Sequence, residues 1–466
     1  MQIRKGGVPV DAATATVTTV QSAASRLDRL PICSWHRKLV ILVGIGTFFD
    51  LYEVFLGGVL GATLATQWNL SSTGKALVIS SGFIGMFVGA IALGVLADVF
   101  GRRRMFLINL GVYSAFSLAA AAAPNLSSLV VLRILAGLGL GAELTLVDTY
   151  LAEFLPSRSR GRYISWAYTL GFVAVPIVAL AGARLVAGHD LAISGWRWLL
   201  VIGGLGAFVL WILRRRLPES PRWLATHDRG EEAGQVLDNI EDQVRTATRS
   251  PLPEPAYVPD EAPVRLSLGT MFGSAYRRRT VMLWIFQILQ TVGYYGFGSL
   301  APVVLVSKGY SIVDSLGYAA LSYVGYPIGS ALAIPLIERC ERKSLIVGSA
   351  LGIAAFGVVF GAAANTALIV FAGFMLTVCS NVFSNAYHVY QAEIFPTRIR
   401  SSAIGIAYSL SRATSAALPF IAISVLDHLG STAVFVGSAV LMLGLCLNVS
   451  ILGPNSTGRS LETVSS

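Results

Sequence analysis

Charge is scarce in this chain. Only 13% of its 466 residues are Asp, Glu, Lys or Arg, whereas 54% are hydrophobic; soluble domains carry roughly 25% charged residues. So long and so apolar a chain is expected to cross a membrane many times. Cysteine is sparse too. Cys33, Cys340, Cys379 and Cys446 lie far apart, with no CxxC and no His at ligand spacing, so neither a zinc site nor a disulfide framework is indicated. HExxH, GxSxG and Walker sequences are missing, as is any metal-ligand cluster. That argues against a membrane-embedded enzyme, and no cofactor or metal is expected. The first thirty-odd residues contain Asp11, Arg26, Asp28 and Arg29 and lack a signal-peptide apolar core, so they read as a cytoplasmic tail.

The basic residues that give the net charge of +10 form no nucleic-acid stripe. They recur as clusters between apolar segments: at 102–104, 158–162, 214–216, 277–279, 338–343 and 398–400. The alternate short loops, near 66–74, 124–127, 364–366 and 427–431, hold almost no Lys or Arg. This asymmetry is the positive-inside pattern, and it predicts that the clusters and both termini lie in the cytoplasm.

A bilayer crossing takes ~20 mostly apolar residues. Such stretches run at 39–62, 75–96, 105–123, 128–152, 163–186, 197–213, 280–302, 315–337, 344–363, 367–391, 402–426 and 431–452. Helices are expected, because lipid offers no partner to free backbone groups. The expected organisation is a tail (1–36), a six-helix bundle (37–216), a cytoplasmic linker (217–279), a second six-helix bundle (280–452) and a second tail (453–466). Within the linker, Ala233, Val236, Leu237, Ile240 and Val244 follow helical spacing and predict a short amphipathic helix.

The halves repeat. YLAEFLPSRSRGRYISWAYTL (150–170) aligns with YQAEIFPTRIRSSAIGIAYSL (390–410) at an offset of 240 residues, and the same offset carries Asp98 onto Glu338 and Arg102 onto Arg342. With six spans in each half, the halves have the same orientation, which predicts a substrate site near mid-membrane between them.

These motifs resemble the major facilitator superfamily. ADVFGRRR (97–104) is similar to its loop between spans 2 and 3; AEFLPSRSRGR and AEIFPTRIR resemble the loops after spans 4 and 10. PESPRWL (218–224) is similar to the stretch after span 6 in sugar porters and related metabolite:proton symporters, and GPNSTGRSLE (453–462) resembles their tail, with Asn455 in place of the usual glutamate. The resemblance implies an all-α membrane protein with the major facilitator fold: twelve transmembrane helices in two pseudo-symmetric six-helix bundles. It also gives the loop charges a role. Asp98, Arg102, Glu153 and Arg158, with Glu338, Arg342, Glu393 and Arg398 in the second half, are expected to form a cytoplasmic gate that latches the halves and breaks as that side opens.

Ionisable groups inside spans are costly, by about 2.5–3.5 kcal/mol each on insertion scales, so each is a functional candidate. Asp50 and Glu53 lie three apart on span 1, about 17 and 21 Å from its start at ~1.5 Å per residue. Arg133 sits roughly 8 Å into span 4 from the other face, within a few ångström of Glu53's level and about one turn from Asp50's. In proton-coupled sugar porters, which the chain resembles, a span-1 aspartate pairs with a span-4 arginine; the resemblance assigns those roles to Asp50 and Arg133. The D-x-x-E pattern is also similar to the D-G-Y-D of aromatic-acid:proton symporters. Glu143 is expected to be a second protonation site or a substrate contact, and Asp148 to join the loop network. Arg412, with no acid evident in its own helix, is a candidate binder of an anion.

The resemblance makes spans 1, 4, 7 and 10 the main cavity helices, with contributions from 5, 8 and 11. Gln287, Gln290, Tyr294 and Tyr295 on span 7, Asn381, Asn385 and His388 on span 10, Tyr168 on span 5 and Tyr326 on span 8 are the expected substrate contacts. The leading expectation is a secondary active transporter of the inner membrane, coupling proton entry to uptake of a small organic anion, a carboxylate with an aromatic or sugar frame. A sugar, polyol or other neutral-metabolite symporter is the alternative, and a proton-driven drug exporter comes third. A receptor of transporter fold would carry a large signalling domain, for which 217–279 is too small. The expected partners are a small-molecule substrate, protons and the lipid bilayer, with no nucleic acid, and the expected state is a monomer.

Overall fold

The computed structural model describes residues 23, 25–187, 192–254, 272–273, 276–395 and 397–455. Ten of its helices are long and apolar enough to cross a membrane, and Leu126–Leu140 is a shorter apolar one. Spans 1 to 3 are Ser34–Gln67, Ser72–Phe100 and Arg102–Ala121. Span 4 is broken into Leu126–Leu140 and Glu143–Phe154, and span 5 into Ser157–Phe172 and Ala174–Ala187. Span 6 is Gly195–Arg214, and span 7 is Arg277–Ser307. Span 8 comprises Ile312–Tyr323 and Gly325–Arg339; spans 9 and 10 are Arg342–Ala362 and Thr366–Glu393. Spans 11 and 12 form one assigned helix, Thr397–Leu452, but Gly430 at φ 81° separates them, as the expected boundary at 427–431 requires.

Burial ranks the helices. In the most apolar window of span 7, 83% of residues are buried, and in span 1, 72%; the figure falls to 39% for span 6 and 33% for the span 11–12 helix. Spans 1 and 7 are therefore central. Spans 6 and 12 turn apolar side chains such as Leu205, Phe208, Val209, Val440, Leu443 and Leu447 outward, as lipid-facing helices do. The halves meet where span 1 packs on span 7, span 2 on span 11 and span 5 on span 8. Span 1 approaches span 7 closely enough that a Cβ on Gly58 would collide with the Ser299 carbonyl, so only glycine fits there.

The loops away from the basic clusters show why the helices start where they do. Ser71 and Asn125 each accept a hydrogen bond from a first-turn N–H and cap spans 2 and 4. Ser311 and Asn365 do the same for spans 8 and 10. Such caps satisfy N–H groups that lipid would leave unpaired. The expected linker helix is Gly230–Thr248, with Ala233, Leu237, Ile240 and Val244 buried. It packs beneath span 1, where Leu27 and Leu30 join its apolar face.

Candidate functional site

In the first half, two buried acid–arginine pairs flank an acid with no partner. Arg133 Nη1 lies 2.7 Å from Glu53 Oε1, each side chain about 1% exposed. Arg133 Nε donates to Ser81 Oγ on span 2 (3.2 Å), and the Tyr113 hydroxyl donates to Glu53 Oε2 (3.4 Å). Glu143 is ion-paired with Arg214 at the end of span 6, both buried. Asp50 is 2% exposed, and neither carboxyl oxygen has a hydrogen-bond partner. Glu143, Arg214 and Arg412 are the charged groups that act on it.

This arrangement changes two expected partnerships, those of Arg133 and Asp148, and gives Glu143 a partner that the sequence did not suggest. Arg133 pairs with Glu53 instead of Asp50, because Glu53 shares its depth and Asp50 sits a turn away. Glu143 is held by an arginine that reads, in a run of three at a span's end, as topology charge. Arg214 turns inward over Phe106, its guanidinium carbon 4.5 Å from the ring centroid. It reaches span 1 at Gly46, where a Cβ would overlap its guanidinium, and Nη2 donates to the Val43 carbonyl at 3.4 Å. Asp148 leaves the loop network and joins the site, its Oδ1 accepting from the Tyr168 hydroxyl at 3.0 Å.

In the second half the site is built of amides, aromatics and one cation. Gln287 donates to Gln391 (3.1 Å), while Gln290 donates to Gln287 (3.1 Å) and to Ser411 (2.9 Å). Asn385 donates to its own helix at the Asn381 carbonyl (3.0 Å) and to Ser330 (3.4 Å), and Ser330 meets Thr169 across the halves at 2.9 Å. Both polar side-chain atoms of Asn381 and the Tyr326 hydroxyl are buried without partners. Arg412 is 2% exposed, yet only its Nη2 is hydrogen-bonded, to the Tyr408 hydroxyl at 3.1 Å; Nε and Nη1 have no partner. Its guanidinium carbon stands 4.9 Å from the Tyr408 ring centroid and 5.3 Å from that of Tyr295. Such contacts favour a cation over an aromatic face.

Rings from both halves enclose this space. Tyr326 lies between Phe55 (5.3 Å) and Phe172 (5.9 Å, stacked), and Tyr294 and Tyr295 meet edge to face at 4.6 Å. His388 stacks on Tyr387 at 4.4 Å and faces Tyr168 at 6.0 Å. Gln391, Ser411 and Tyr408 join the site although the sequence gives no cue for them beyond their span. Asp148, Tyr168, His388 and Tyr408 are half-buried, whereas Asp50, Glu53, Tyr294, Tyr326 and Asn381 are buried. The half-buried members lie toward the face that carries the basic loops.

At that face, Arg102 pairs with Glu153 at 3.6 Å and Arg342 with Glu393 at 3.4 Å, each within its own half. Glu219 of the PESPRWL stretch accepts the backbone N–H groups of Arg102 and Arg103. Arg158 donates to the Leu30 carbonyl at 3.4 Å instead of pairing with Glu153. The side chains of Asp98, Glu338 and Arg398 lie outside the described residues. At the opposite face, among the described residues, an ion pair crosses the halves. Asp427 of span 11 takes Lys75 of span 2 at 3.5 Å and the hydroxyl of Ser72.

The comparisons with known proteins agree with this architecture. A metabolite transport protein by name, YyaJ of Bacillus subtilis, is 33% identical, over 94% of this chain and 97% of its own length. The niacin transporter NiaP of Acinetobacter baylyi is 30% identical, over 94% and 99%. Among solved structures, the xylose transporter XylE of E. coli in a partially occluded inward-open conformation superposes with a TM-score of 0.73 at 21% identity, over 92% of this chain and all of that one. That likeness bears on the fold. The sugar (and other) transporter family model matches residues 40–466, and the chain belongs to this family of the major facilitator superfamily: it is a multi-pass membrane transporter, not an enzyme.

Proposed function

We propose that this transporter couples proton movement to uptake of a small carboxylate carried on a flat ring. The observation that carries the reading is Arg412, a buried guanidinium with two unpartnered nitrogens between tyrosine faces. A buried cation is costly unless paired, and a carboxylate accepting from two guanidinium nitrogens is its best-matched ligand. The aromatic rings around it suit a flat ring, and the amides of Gln290 and Asn381 suit ring substituents. Niacin, the substrate named for one relative, is a pyridine bearing one carboxylate.

Protons are the business of the first half in this reading. Arginine does not deprotonate, so Arg133 is a fixed charge beside Glu53. Asp50 gives up no hydrogen bond on gaining or losing a proton, which favours it as the carrier. Access from the basic-loop face, with the opposite face latched by Asp427 and Lys75, is the cytoplasm-facing arrangement of alternating access. The two bundles (37–216 and 280–452) rock about the site, with both termini cytoplasmic and the protein acting as a monomer in a bacterial inner membrane. The unpartnered amide of Asn381 also fits a hydroxyl, so a neutral sugar or polyol is the second reading.

The test is binding to purified protein by thermal shift and calorimetry at two pH values, with nicotinate, benzoate, their neutral amides, xylose and an organic cation as probes. Stabilisation by the carboxylates above their amides is expected. Equal response to acid and amide, or response to xylose alone, would refute the carboxylate reading.

A further inference from the structure

Of the acids inside the first bundle, Asp148 is the one the account above leaves without work. Glu53 pairs with Arg133 and Glu143 with Arg214, all four buried, and Asp50 is the proposed proton carrier. Asp148 is half-buried, and among the described residues its side chain has one partner, the Tyr168 hydroxyl, which donates to Oδ1 at 3.0 Å. A carboxylate offers about four acceptor positions, and the tyrosine fills one. On the same helix, Glu143–Phe154, Val147 and Leu151 are wholly buried while Asp148 and Thr149 are half-buried, so open space reaches the helix at the acid. An ionisable side chain inside a span is costly to keep. One left with neither a cation nor a full set of donors has a use other than packing.

Rings connect this acid to the cation of the other half. Tyr168 faces His388 at 6.0 Å, His388 stands 6.3 Å from Tyr408, and the Tyr408 hydroxyl accepts from Arg412 Nη2 at 3.1 Å. Tyr168, His388 and Tyr408 are all half-buried, as Asp148 is. Three rings that border one space thus join an acid on span 4 to a guanidinium on span 11. The two ends offer opposite chemistry. Arg412 keeps two unpartnered donors, Nε and Nη1, whereas a carboxylate only accepts. A ligand that satisfies both ends carries an acid on one side and a hydrogen-bond donor on the other.

We propose that Asp148 is a specificity-determining residue, accepting a hydrogen bond from a hydroxyl or amino group on the substrate's ring while Arg412 holds the carboxylate. This rests on the carboxylate reading above and narrows it to ring acids that carry a donor. The selection works through what a poor ligand leaves unmatched. A ring without the donor sets an apolar edge against Asp148, and an acceptor stripped of water with nothing in exchange costs more than a matched one gains. Sites built around such a polar group reject analogues that lack its partner far more strongly than apolar pockets reject a change of size. A neutral pyridine nitrogen only accepts, so nicotinate gains nothing from Asp148 and is held through its carboxylate alone.

The test is calorimetric binding to the full-length protein in lipid nanodiscs at neutral pH. The probes are benzoate, its meta- and para-hydroxy and meta- and para-fluoro derivatives, and benzamide with the same hydroxy derivatives. Fluorine occupies the place of the hydroxyl but donates nothing. In wild type, the better hydroxybenzoate is expected to bind about tenfold or more tighter than the matching fluorobenzoate, the worth of a hydrogen bond to a charged group. In Asp148→Ala the ratio should fall below about threefold, with affinity for benzoate itself changed by less than about threefold. Should that variant not fold, Asp148→Leu, closer in size and equally without an acceptor, should lose the ratio in the same way. A wild-type ratio near one, or a ratio that survives in the variant, overturns the assignment. The benzamides separate this outcome from failure of the carboxylate reading. If acids and amides bind alike, Arg412 loses its role, while a hydroxyl preference seen among the amides and lost in the variant still upholds Asp148. Binding by none of the probes overturns both.

Discussion

At the 240-residue register, Ser71 falls on Ser311, Asn125 on Asn365, Arg102 on Arg342 and Glu153 on Glu393. All four matches keep their work: the first two pairs cap helices, and the others form the Arg–Glu bridges of each half. Even the left-handed turn before span 2, at Asn69, recurs at Gly309. The centre behaves otherwise. Asp50 falls on Gln290, Glu53 on Gly293, Arg133 on Gly373 and Glu143 on Phe383, while Arg412 falls on Phe172. Frame residues repeat because both bundles must start, stop and pack their helices in the same way. Central charges do not repeat. Under the proposed function this difference is a division of labour, with protons handled in the first half and the substrate's carboxylate bound in the second.

The strongest way to break this contrast is to remove one side of it. Asp50→Asn should abolish proton-driven accumulation in proteoliposomes while leaving exchange of labelled for unlabelled substrate; undiminished accumulation would remove Asp50 from the proton path. Arg412→Ala comes next. Losing a buried charge-assisted contact costs about 2–5 kcal/mol, so affinity for a carboxylate should fall about 30-fold or more. The neutral amide should change by less than about threefold, and an equal loss for both would return Arg412 to a structural role.

Smaller effects test the two faces. Lys75→Glu should raise labelling of a cysteine placed in the site from the outer side by several-fold, with recovery on adding Asp427→Lys; labelling unchanged by the single swap would show that this pair does not latch the halves. Arg102→Glu should slow transport a few-fold, and Glu153→Arg should restore part of it if the observed pair matters; with Arg158→Glu in place of Arg102→Glu there should be no such rescue.

The smallest effect concerns the tail. Arg26 and Arg29 each hydrogen-bond Glu241 at 2.8 Å, and Arg26 also bonds Asp238 at 2.6 Å, so the residues before span 1 grip the linker helix. Burial pushes the Glu241 carboxyl up, but the hydrogen bonds from Arg26 and Arg29 outweigh it and hold it below the usual carboxylate range. A depressed pKa gives stability that is present above the ordinary glutamate value and lost as pH falls through the lowered one. Protease nicking of the linker should therefore rise at acid pH, and Glu241→Gln should already be nicked at neutral pH. A nicking rate flat from neutral to strongly acid pH would show that the clasp holds without this ionisation.

Much of the fold was legible because its causes are local. Apolar length fixes where helices cross, loop charge divides the faces, and the 240-residue repeat implies two bundles. The linker helix follows from five apolar positions, four of which the structure buries. The breaks in spans 4, 5 and 8 depend on contacts with neighbouring helices, as at Gly141, and no single-sequence period carries them. At the site, residue types and their spans were readable, but partners were not. Depth places Glu53 level with Arg133, and that simple measure outperforms the pairing suggested by resemblance. Arg214 was hidden because three consecutive arginines look alike until a glycine on another helix, Gly46, makes room for one of them. Arg158 and Glu153 share a loop, yet the structure gives Glu153 to Arg102, a pairing that needs the third dimension.

The division of labour is tested most directly by calorimetric binding of nicotinate to wild type, Asp50→Asn and Arg412→Ala side by side at one pH. The account predicts that Asp50→Asn binds within about threefold of wild type while Arg412→Ala loses about 30-fold or more. Comparable losses in both variants, or the greater loss in Asp50→Asn, would contradict it.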